Sequence, residues 1–142
     1  MKTKGHATFA FSLWDEKPYM EMDGGAKLTQ THQDANYEGD ITGISLLKYL
    51  MCYNPDASGN YVGIEHIDGS LGGKKGSFVM QHSGTFEKVG VQGTWFVVPG
   101  SATGELKGLR AEGTIGLEGH MERYPTDFEY EFVDEPETTS EK

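Results

Sequence analysis

Glu65 and His82 are the residues of this sequence best suited to acid–base chemistry, and each sits in a run that alternates like a β-strand. The stretch 78–86, FVMQHSGTF, sets Phe78, Met80, His82, Gly84 and Phe86 on one side and Val79, Gln81, Ser83 and Thr85 on the other. An imidazole on an apolar face is costly unless it is hydrogen-bonded, and a buried carboxylate is costlier still. Placed together, the two satisfy each other. In an aromatic pocket such a pair has the perturbed proton affinities that general acid–base catalysis needs; it serves equally as a structural pin.

Whether they meet depends on the hairpins around them. A loop at Lys88-Val89 pairs Phe86 with Val91, Gly84 with Gly93 and His82 with Trp95, and all three pairs join residues of the inner face. The run LGGKKG at 71–76 offers a two-residue turn at Gly72-Gly73 or Gly73-Lys74, where glycine tolerates the positive φ required. The first choice sets Glu65 opposite Met80 and the second opposite His82, in both cases on the inner face. A three-residue loop would instead turn Glu65 outward, beside Gln81.

The elements that must carry these residues are strands. Runs of period two, separated by Gly, Pro, Asn and Asp, cover 7–15, 27–37, 41–53, 61–70, 77–87, 91–99, 108–117 and 121–133. Eight such strands predict an all-β chain arranged as a meander or a barrel, lipocalin-like in outline if it closes. The inner rows read Phe9, Phe11 and Leu13 on the first strand, Val91, Gly93, Trp95 and Val97 on the sixth, and Tyr124, Thr126, Phe128, Tyr130 and Phe132 on the last. Trp95, Phe78, Met80, Tyr49, Phe128 and Tyr130 are the candidates to line a lumen that takes a small apolar or aromatic molecule. The segment KLTQTHQDANY, 27–37, is polar for a strand and is expected at an edge or a subunit contact. One domain over 1–133 is expected, followed by an acidic, disordered tail over 134–142.

Other chemistries find little support. A net charge of -10 repels nucleic acid and anionic membrane. The single cysteine, Cys52, excludes an internal disulfide, and the start MKTKGHATFAFSLWDEK alternates like a strand where a secretory leader has a continuous apolar run. A cytoplasmic location is the default. No metal site is expected: the histidines show no HxH or HExxH spacing, and His66 faces away from His82. Ser83 follows His82 directly, so the two project to opposite faces and form no dyad. LGGKKG lacks the phosphate-loop patterns, and no cofactor motif occurs.

The segments VGIEHIDG, GSFVMQHSGTF and GTWFVVPGSATGELKGLRAEG, with ATFAFSLWDEKPY and FEYEF near the two ends, resemble a bacterial family of uncharacterised domains with an allene-oxide-cyclase-like barrel. The stretch GSATGELKGLRAEG is also similar to the glycine-rich segment of allene oxide cyclases and dirigent proteins. This resemblance implies a small closed antiparallel barrel, commonly assembled into homo-oligomers, and no established activity. The cyclase relatives steer an apolar, reactive substrate by shape, aromatic contact and a few polar groups, which by analogy makes Glu65 and His82 candidate catalytic residues of an isomerase or cyclase. A packed barrel acting only through oligomerisation is the remaining alternative.

Overall fold

In the computed structural model, which describes residues 2–119 and 122–134, eight strands form one closed antiparallel barrel in sequence order. They are β1 (Thr3–Glu21), β2 (Lys27–Gly39), β3 (Ile41–Tyr53), β4 (Gly59–Leu71), β5 (Lys74–Glu87), β6 (Gly90–Val97), β7 (Leu109–Glu118) and β8 (Tyr124–Phe132). Apart from Asp134, the acidic tail lies outside the described residues, as does Met121, the expected start of the last strand. No helix among the described residues is long and apolar enough to cross a membrane.

Hairpin turns fix the register. Gly72 and Gly73 both adopt positive φ (61° and 87°), the two-residue geometry whose twist matches that of the flanking strands. That turn sets Glu65 opposite Met80. The Lys88-Val89 loop gives Phe86↔Val91, Gly84↔Gly93 and His82↔Trp95, as the alternation requires.

Two sequence expectations need correction. A bulge shifts the β1–β2 register between Phe11 and Leu13, so the inward row passes from Phe11 to Trp14, and Leu13 is turned out, 43% exposed. The segment 27–37 is no edge: β2 is hydrogen-bonded to β1 on one side and β3 on the other. Its polar residues Thr29, Thr31 and Gln33 point inward and are buried.

The two rims differ. One carries the connections at 22–26, 54–58 and 88–89. The opposite rim is closed by the long β6–β7 loop, which runs back along β5. Thr103 N–H donates to the Ser77 carbonyl (2.8 Å) and Ser77 N–H to Thr103 Oγ1 (3.1 Å), while Leu106 is driven fully into the core. At the seam, the Arg123 guanidinium donates to Thr8 Oγ1 (2.9 Å) and Asn36 Oδ1 (2.8 Å), tying the entry of β8 across β1 to β2.

Candidate functional site

Glu65 and His82 project into the barrel from neighbouring strands and are buried, 1% and 2% exposed. His82 Nε2 lies 2.8 Å from Glu65 Oε1, and the Tyr37 hydroxyl donates to Glu65 Oε2 at 2.8 Å. Each carboxylate oxygen therefore has one protein donor. The bond to the carboxylate selects the tautomer with hydrogen on Nε2, which leaves Nδ1 of the neutral ring as an acceptor. Among the described residues Nδ1 has no hydrogen-bond partner, nor does the buried Gln33 amide or the Ser45 hydroxyl.

Tyrosines surround this centre. Burial pushes the Tyr37 hydroxyl well above the usual phenol range, and the negative charge of Glu65 and the hydrogen bond to it add to the effect. Tyr49 is raised in the same way by burial, then by Glu65 and Tyr61. Its ring meets His82 edge-on, with centroids 5.7 Å apart, and lies 5.0 Å from the ring of Tyr61. Tyr53 is occupied elsewhere: its hydroxyl donates to Glu16 Oε2, which also accepts from Thr29.

Above the tyrosines lies an open space. The barrel interior packs as two apolar clusters, a large one including Phe9, Phe78 and Trp95 and a small one of Met51, Tyr61 and Phe86. A cavity of about 280 Å³ lies where they face each other, toward the rim of short hairpins. Phe9, Phe11, Trp14 and Tyr124 wall one side, Tyr49, Met51, Tyr61 and Phe86 another, and Ile115 and Leu117 a third. A larger depression of about 980 Å³ crosses the outside near His6, Glu112 and Asp127, but it is open and bordered by charged residues.

Of the six lumenal candidates, Tyr49 lines the cavity. Phe78, Met80, Trp95 and Phe128 lie deeper, in the packed large cluster, and Tyr130 rests against it. The Trp95 indole N–H already donates to Thr126 Oγ1 (2.9 Å), so it has no free polar group to offer. Sequence reasoning missed Tyr37 as the third member of the Glu65–His82 group, and it missed Tyr61 and Met51 in the wall. The alternation of β3 and β4 carries the signal for the last two: Met51 pairs with Tyr61 on the inner face.

The sequence profile of the family described as "Protein of unknown function (DUF3224)" matches residues 5–130. The chain belongs to the DUF3224 family. A crystal structure of a DUF3224 protein of unknown function from Shewanella oneidensis MR-1 is similar across 95% of this chain and 100% of that one, with a TM-score of 0.80 and 28% sequence identity. No curated protein matches the sequence. The DUF3224 match spans Tyr37, Glu65, His82 and the whole cavity wall.

Proposed function

We propose that this DUF3224 barrel binds a small, planar, largely apolar molecule in the cavity beneath its short hairpins. The carrying observation is an aromatic-lined space of about 280 Å³ between two packed clusters, near the lower end of the volumes that hold small ligands. Tyr37, Glu65 and His82 do not line it. We therefore read them as a pin that sets the floor, ahead of the isomerase or cyclase reading. Leu117, on the wall and only partly buried, is the position to test. With N-phenyl-1-naphthylamine as fluorescent probe, the wild type is expected to bind saturably and Leu117→Trp at least about tenfold more weakly at an unchanged melting temperature. Absence of binding, or equal binding by both, overturns the proposal. Gly93 is a poorer site, because a Cβ there would lie 2.1 Å from the Tyr61 hydroxyl.

A second reading concerns the outside. Leu46, Leu50, Val62 and Ile64 are each about half exposed on paired strands, with Leu50 directly opposite Val62. Lys48 stands among them, and Asp34 and Asp68 flank the patch. We infer that a second copy of the chain covers this face, its half-exposed Leu46, Leu50, Val62 and Ile64 meeting the same residues across a two-fold axis. Light scattering after size exclusion is expected to give a multimer for the wild type and a monomer for Leu50→Lys/Val62→Glu. A monomeric wild type, or a variant of unchanged mass, removes this reading.

A further inference from the structure

The cavity floor carries more than apolar surface. Tyr49 and Tyr61 both line the cavity, and neither hydroxyl hydrogen-bonds to another described residue. Two deeper or displaced tyrosines differ: Tyr37 donates to Glu65 and Tyr53 to Glu16. Tyr124 also lines the wall, on the opposite side from Tyr49 and Tyr61. A phenol O–H left unpaired in an apolar site forfeits a hydrogen bond it would make in water. The two rings are also held in place. Tyr49 lies against Gly63, where a Cβ would come within 1.9 Å of its Cδ1, and the Tyr61 hydroxyl lies over Gly84 and Gly93. Glycine at these inward positions lets both rings lie along the wall before any ligand arrives.

We propose that the ligand is a neutral aromatic or polycyclic molecule bearing a hydrogen-bond acceptor such as a carbonyl oxygen, which the hydroxyls of Tyr49 and Tyr61 recognise. The reading rests on the cavity being the binding site. Neutrality follows from the surroundings. Glu65 lies close enough beneath Tyr49 to act on its ionisation, and the chain carries a net charge of -10, so a carboxylate ligand meets repulsion. At the rim, Lys88 and Glu87 are neighbours of opposite sign and select for neither charge. Burial keeps both tyrosines protonated at ordinary pH, so they remain donors. The remaining wall, Phe9, Phe11, Trp14 and Phe86, supplies the stacking surface for the body of the molecule.

The test uses three matched probes by isothermal titration calorimetry: 2-acetylnaphthalene, which has the acceptor, 2-ethylnaphthalene, which lacks it, and 2-naphthoate, which is charged. In the wild type the ketone is expected to bind about five- to tenfold more tightly than the ethyl compound, with the anion weakest. Tyr49→Phe and Tyr61→Phe remove one hydroxyl each and keep the rings; the double variant is expected to bind ketone and ethyl compound equally. If neither neutral probe binds the wild type, the cavity reading itself fails. If both bind with equal affinity, or if the preference persists in the double variant, the cavity stands and the acceptor proposal is overturned.

Discussion

Replacing Glu65 with leucine is expected to lower the stability of the barrel by about 3–5 kcal/mol, the usual cost of removing one partner from a buried, hydrogen-bonded group. The loss comes from what remains behind. Tyr37 would keep a buried hydroxyl without its acceptor, and His82, whose Nδ1 has no partner among the described residues, would lose the one at Nε2. Denaturant unfolding followed by tryptophan fluorescence measures this directly, and the melting temperature should fall by roughly 10–20 °C. The triple variant Tyr37→Phe/Glu65→Leu/His82→Leu should recover most of the loss, because removing a whole buried polar group for apolar side chains is often neutral. It should also retain N-phenyl-1-naphthylamine binding if the group is a pin. A single-variant loss below about 1 kcal/mol would show that the carboxylate reaches water, in conflict with its burial.

Alkaline pH should unfold the protein cooperatively near pH 12. Tyr37 and Tyr49 hold their protons in the fold well above 10.0, the ordinary value they regain in the unfolded chain. Below pH 10 both states are protonated and the stability is complete. Above it the unfolded chain releases protons that the folded one retains, so stability falls with rising pH by roughly 1.4 kcal/mol per unit for each tyrosine. Tyr61, also raised by burial, acts in the same direction. Two to three such groups remove roughly 6–8 kcal/mol by pH 12, which reaches the lower part of a typical domain stability of about 5–15 kcal/mol. Tyrosinate absorbance and far-UV circular dichroism should change together for the buried tyrosines. Titration of all seven tyrosines near pH 10 with the sheet intact would contradict their burial.

Much of this was legible in the sequence because two-residue turns leave no freedom of register. Once Gly72-Gly73 and Lys88-Val89 are taken as turns, Glu65, His82 and Trp95 follow by counting, and the structure places them so. Counting fails where a residue is inserted without a mark. Ser12 has no paired partner at the β1 bulge, and nothing in its type separates it from an ordinary outward serine, so Leu13 and Trp14 exchange faces. Polarity misled at 27–37 because an interior strand was assumed to need an apolar row; that also hid Tyr37, which sits on it. Alternation reports the face of a residue and not its height along the axis. Phe78 and Trp95 are inward, as read, yet lie in the packed belt below the cavity.

The seam has a meaning for the folding chain. Every ladder except β1–β8 joins strands adjacent in sequence, so the hairpins can form and zip locally. Only the pairing of Thr3–Phe9 with Tyr124–Tyr130 must bring together segments from the two ends of the domain. The entropy of closing the largest loop is thus concentrated in one ladder, late in assembly. Arg123, which spans β1 and β2 from the entry of β8, acts as the latch on that step: it rewards the last strand only when the first two are already side by side.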